Sequence, residues 1–297
     1  MSRIYSNHQL IGGVDIFGVD NSVPLKPKHE PMYTEKQISA MKADFEERNK
    51  LKTAEPKRAN EHYTDLASSK FNIEELEDRF VLSPLKLHDG LYRVEWNKEL
   101  QDEKLRTQDA WNQFLQGSEW SLPSGPLYYA TIKSLYYNHD SNYKEVIGKF
   151  KEKLQSDFKK DWMITSTQIK YSAIGLDEIM HDYGSSNPYK IEANLVGRSG
   201  QITAQSGFEV SIESLLGTSD SAEVEEVFEW VSGRKSHLWR LNGKPRNDVM
   251  QALVLGVIDD DWFDIVAYDN ISNYRPARGV VRREISTGNL GKGSGEI

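Results

Sequence analysis

Three groups of residues have the types and spacing for chemistry. The acidic triple Asp259-Asp260-Asp261 invites calcium, a cation that takes several oxygen ligands at staggered positions. Adjacent side chains alternate along a strand, so the three carboxylates cannot converge there, and no glycine-containing EF-type loop surrounds them. A solvated loop tip that touches ligand suits them better, and no metal is assigned. His181-Asp182 is the second group and would serve a hydrolase as base and partner, although a strand histidine is more often a packing residue. Gly291-Lys292-Gly293-Ser294 is the third; it follows no strand and is no phosphate loop. The triplet Asn270-Ile271-Ser272 matches a glycosylation acceptor and carries little weight alone. There is no G-x-S-x-G elbow, H-E-x-x-H pair or Walker loop. The expectation is a binding protein with no catalytic residue and no cofactor.

The stretch from Val257 to Arg275 interleaves aromatic and short polar residues. Tyr and Trp offer contact area with few torsions to freeze, and Asn, Asp and Ser offer adaptable hydrogen bonds. Reading Phe263 to Ala267 as a strand turns Phe263, Ile265 and Ala267 to the core and Asp264, Val266 and Tyr268 to solvent. The stretch is either a contact surface or a polar connection between core strands.

The surrounding elements must position this stretch. Residues 1–70 form an arm punctuated by Gly12, Gly13, Pro24, Pro27 and Pro31. A helix is expected in it from Thr34, with a thin Ile38, Met41, Phe45 stripe suited to a partner helix or a homo-oligomer. Residues 71–120 read as a connecting or accessory segment, with a short helix at Phe71 to Leu76 and a strand at Leu91 to Trp96 after the Asp89-Gly90 turn. Helices are expected over Leu127 to Tyr137, Tyr143 to Lys159 and Ala222 to Val231, the last with Asp220 as cap. Trp162 to Tyr171, Glu178 to Tyr183 and Tyr189 to Val196 read as an antiparallel meander. Further strands are expected at Leu238 to Leu241, Ala252 to Ile258 (apolar, hence central), Phe263 to Tyr268 and Gly279 to Arg282. The main domain then spans residues 121–285, and residues 286–297, with four glycines, form a tail.

Composition narrows the function further. The 297 residues carry a net charge of -8, which argues against a general phosphate-binding role and so against nucleic acid. Cysteine is absent, which removes disulfides and thiolate chemistry. No apolar run is long enough for membrane insertion, and Met1 to Tyr5 opens no signal peptide.

Leu238-Trp-Arg-Leu-Asn-Gly-Lys-Pro, Val254-Leu-Gly-Val and Arg275-Pro-Ala-Arg-Gly-Val-Val-Arg resemble the C-terminal segment of variable proteins of diversity-generating retroelements, those of archaea and archaeal viruses above all. Leu122-Pro-Ser-Gly-Pro-Leu, Leu216-Gly-Thr-Ser-Asp and Val227 to Gly233 are similar to that group as well, so the resemblance covers about residues 120–285. It implies an α+β, C-type-lectin-like domain of antiparallel strands and two to three helices, preceded by the partly helical arm. It also implies a face rewritten by mutagenesis at template adenines. The variable contacts are then Asp259, Asp261, Trp262, Asp264, Val266, Tyr268, Asn270, Asn273 and Tyr274. Trp239, Leu241, Phe263, Ile265 and Gly279 are scaffold, Gly279 at a turn into the last strand. The partner is a protein or cell-surface ligand, met from a virion or a cell surface. The Glu-Pro-Asn, Gln-Pro-Asp and Trp-Asn-Asp triplets of calcium-dependent lectins are missing, so sugar specificity does not carry over. A calcium-assisted carbohydrate module using Asp259 to Asp261 is the alternative, and a hydrolase the second alternative.

Overall fold

The computed structural model describes residues 71–102, 104–258, 261–269 and 275–285. The arm with its Thr34 helix, and the tail, lie outside the described residues. The described residues belong to one compact unit.

Among the described residues the fold is α+β, with eleven strands and five helices. Strands β1 (Asn72–Glu75), β2 (Arg79–Leu87), β3 (Gly90–Leu100) and β11 (Arg278–Glu284) make an antiparallel four-stranded sheet in that order. The second sheet has seven strands in the order β6 (Tyr189–Ala193), β5 (Asp177–His181), β4 (Met163–Tyr171), β9 (Val249–Ile258), β10 (Trp262–Asp269), β8 (Lys235–Trp239) and β7 (Gly200–Gln201). All its pairings are antiparallel except β8 with β10, which is parallel. The helices are α1 (Gln108–Leu115), α2 (Gly125–Tyr137), α3 (Lys144–Lys160), α4 (Glu209–Leu216) and α5 (Ser221–Ser232).

The main core lies between the sheets, and α3 shows why. Its apolar residues Ile147, Phe150, Leu154 and Phe158 recur at three- and four-residue spacing and are all buried. Phe150 stacks on Phe80 of β2 at 4.5 Å, and Phe158 meets Phe263 of β10 edge-on at 5.0 Å. One helix stripe thus touches both sheets, and truncating Phe158 to Ala would cost about 3–5 kcal/mol. Asp157 sits on the same helix and binds the buried guanidinium of Arg278 on β11, with Arg278 Nε donating at 2.8 Å. Arg278 also donates to the carbonyl of Asn97 on β3.

Helices α2, α3 and α5 and the meander β4–β5–β6 fall where the periodicity puts them, and β9 is central, between β4 and β10. Four expectations need correcting. Phe71 to Leu76 is not helical: Asn72–Glu75 pairs with β2 and buries Ile73, which a six-residue helix with one costly nucleus could not match. Among the described residues of 121–285 the helices number four rather than two to three, and a fifth, α1, precedes them. Helix α1 is nucleated by Thr107, whose Oγ1 accepts from Ala110 N at 3.3 Å, and α4 is closed by Gly217 at φ 78°. Residues 71–120 are no separate accessory segment, because β11 from the far end of the chain pairs with β3 in their sheet. Gly279 lies inside β11, at a register shift, and makes no turn. Its reason is space, since a Cβ there would meet the Gln101 side chain at 2.1 Å and Trp120 Cβ at 3.1 Å.

Candidate ligand-contact face

The expected contact strand is β10, held between β9 and β8. Register places Asp264 between Gly256 and His237, and Val266 between Val254 and Trp239. Alternation then sorts the side chains. Phe263 and Ile265 are buried in the main core as expected, with Phe263 stacked on Phe228 of α5 at 4.6 Å. The opposite side of the strand is not open to water along its length. Asp264 is 3% and Val266 6% exposed, which corrects their reading as solvent-facing contacts.

The cause is a second, smaller cluster on that face. Trp111 and Leu115 of α1 pack with Leu122, Ile164, Ala252, Val254, Val266 and Ala277. Trp111 Nε1 donates to the carbonyl of Arg275 at 2.7 Å, tying the helix to the chain that enters β11. The sheet is therefore covered on both faces over β4, β9 and β10, and Val266 is a packing residue.

Towards β8 the cover ends. Lys235, His237 and Trp239 alternate outward there, while Ser236 and Leu238 are buried. Trp239 is 48% and Trp262 37% exposed. Trp239 was expected to be scaffold; it is instead half of the surface, because its position on β8 lies beyond the reach of α1. Its indole Nε1 donates to Asp264 Oδ1 at 2.7 Å, roofing the carboxylate. His237 Nδ1 lies 3.7 Å from the same oxygen, and its ring sits 4.7 Å from Trp239 and 5.6 Å from Trp262. Burial holds the His237 pKa below the usual imidazole value, so the ring is neutral at pH 7. On the other side of Asp264, Gly256 leaves room for Trp162, which a Cβ would meet at 2.7 Å. The Arg275 guanidinium lies 5.0 Å from the Trp162 ring centre. The result is a face of two exposed indoles and an imidazole beside a recessed carboxylate, with Trp162 packed against the second cluster behind it.

The other nominated positions fall as follows. Asp261 is exposed at the turn before β10. Tyr268 has its backbone in β10, but its side chain lies outside the description, as do Asp259, Asn270, Asn273 and Tyr274 altogether. Leu241 is partly buried against the main core, where its carbonyl accepts from Gly197 N at 2.8 Å. Among the described residues no group of three His, Asp or Glu side chains is arranged to hold a metal ion. His237 and Trp162 were missed. Alternation along Lys235-Ser-His-Leu-Trp would have put His237 beside Trp239, whereas nothing local marks Trp162, whose place depends on Gly256 some ninety residues later.

His181 is no available base. It is 1% exposed, its Nδ1 lies 2.9 Å from Thr167 Oγ1, and its Nε2 lies 2.9 Å from the carbonyl of Ser214. Burial pushes its pKa down to about 4. Asp182 turns away from it to bind Arg282.

No protein-family model matches the chain, and no curated protein or solved structure matches it.

Proposed function

We propose that this chain is a non-enzymatic ligand-binding display protein of the diversity-generating-retroelement type, with a C-type-lectin-like domain, and that it meets a protein or cell-surface ligand through the β8–β10 face. The observation behind this reading is the pair of exposed indoles, Trp239 and Trp262, framing recessed Asp264 on the side towards β8 that the described residues leave open. Trp anchors ringed by polar groups are what dominates binding at protein interfaces. Rigid strands beneath them limit the ordering cost of association. On this reading the diversified set draws on exposed positions such as Asp261 and Trp262 rather than on buried Asp264 and Val266. On a virion or a cell, such a face would mediate attachment.

The surrounding DNA provides the test. The reading expects a near-copy of the codons for residues 245–283 beside a reverse-transcriptase gene, differing almost only where the copy carries adenine. An intact locus with no such copy ends the diversification claim. Melting curves with and without calcium separate the display reading from a calcium-assisted module: display expects no shift.

A further inference from the structure

A cleft of about 670 Å³ opens between the end of α1, the turn after β5 and strand β11, and it shares no residue with the β8–β10 face. That volume is in the range of small-molecule sites. Its floor carries an ion pair, with Arg282 Nη1 donating to Asp182 Oδ2 at 2.9 Å. Asp182 is 7% exposed and holds a left-handed backbone at φ 54°. Asp tolerates that region better than most residues, and such positions gather at ligand sites. The Arg282 guanidinium is seated 4.9 Å from the ring centre of Tyr92.

Two further polar groups at the cleft have no partner. Ser166 is 2% exposed and, among the described residues, neither its Oγ nor the buried Nδ2 of Asn112 makes a hydrogen bond. Each buried orphan costs about 1–3 kcal/mol, which a ligand hydroxyl meeting it would recover in part. Trp120 adds an apolar wall, braced by the Arg79 guanidinium 4.8 Å from its ring centre.

The charges decide the ligand. A carboxylate or phosphate entering the cleft would face Asp182, and an ammonium would face Arg282. A neutral molecule with adjacent hydroxyls satisfies both, one hydroxyl donating to the carboxylate and its neighbour accepting from the guanidinium. Ser166 and Asn112 supply further partners, and Trp120 suits the C–H face of a sugar ring. We propose that this cleft binds a neutral pyranose, free or as a residue of a glycan, without a metal.

Calorimetric titration of the full chain with the methyl glycosides of glucose, mannose and galactose tests this, with acetate, inorganic phosphate and N-methylacetamide as rival probes. The expected result is binding of at least one glycoside with Kd of about 1 mM. Asp182→Asn keeps the backbone and should weaken it at least about tenfold. Ser166→Ala should weaken it too, while leaving the melting temperature unchanged or higher, because it removes an orphan hydroxyl. A glycoside that binds in solution but on no immobilised glycan identifies free sugar as the source, and binding to both identifies a glycan; either sustains the proposal. Silence from every glycoside, binding of acetate, phosphate or the amide alone, or a bound glycoside indifferent to both variants overturns it.

Discussion

The indole of Trp239 on β8 donates to the carboxylate of Asp264 on β10 at 2.7 Å, across the one parallel strand pair among the described residues. The bond is charge-assisted and its acceptor is buried, so it holds the surface residue and the recessed residue in one unit. Trp239→Phe keeps most of the ring and deletes the donor. Urea denaturation should show a loss of about 1–3 kcal/mol, and less than that in an Asp264→Asn background, where the charge is gone. Equal losses in both backgrounds would mean that the bond is not what couples them.

Burial separates the nominated contacts into two classes. Saturation libraries at Asp261 and Trp262 should return folded protein with most residue types, since exposed substitutions shift stability by about 0.5 kcal/mol or less. Val266→Asp should cost about 3 kcal/mol or more, by placing a charge against Trp111 and Leu115. Protease resistance of the library members reads the difference. If position 266 tolerates charge as freely as position 261, the α1 cover is not closed over β10.

The sequence showed those elements whose burial is one regular stripe. Phe150, Leu154 and Phe158 mark α3, and the apolar run Ala252 to Ile258 marks a central strand, because a single neighbour layer decides each. Asp264 and Val266 were misread for a non-local reason. Alternation says that two sides of a strand differ; it does not say whether the second side is wet. Here it is covered by Trp111, about 150 residues earlier in the chain, and Asp264 tolerates burial because an indole satisfies it. The polar cleft was illegible for the same reason, since Asn112, Ser166, Asp182 and Arg282 converge from four separate segments.

Gly125 opens α2 in a space with no room for a side chain. A Cβ there would lie 2.4 Å from the carbonyl oxygen of Leu215 and 2.5 Å from Leu253 Cδ2. Its N–H donates to Thr167 Oγ1 at 2.9 Å, so the backbone cannot drift without breaking that bond. Ala gains up to about 1 kcal/mol in helix propensity, but overpacking against backbone costs about 1–3 kcal/mol or more. Gly125→Ala should therefore lower the melting temperature, and adding Leu253→Ala should not restore it, because the Leu215 carbonyl remains. A variant that melts higher would show that α2 can shift at no cost.

His181 gives the fold an acid limit. Its pKa falls from 6.5 in the unfolded chain to about 4 in the folded one, chiefly through burial. Below pH 6.5 the unfolded chain takes up a proton that the native imidazole refuses, because burial disfavours the charged ring by more than its bond to the Ser214 carbonyl favours it. The group's contribution is thus complete above pH 6.5 and is lost as pH falls towards 4, by roughly 3 kcal/mol in all. His181→Gln keeps an amide where the imidazole was and does not titrate. It should be less stable than the parent at pH 7, yet lose less stability between pH 6.5 and 4, when both are unfolded by urea across that range. Parallel pH profiles for the two proteins would locate the acid limit in carboxylates whose pKa values folding lowers, Glu95 and Glu223 first among them.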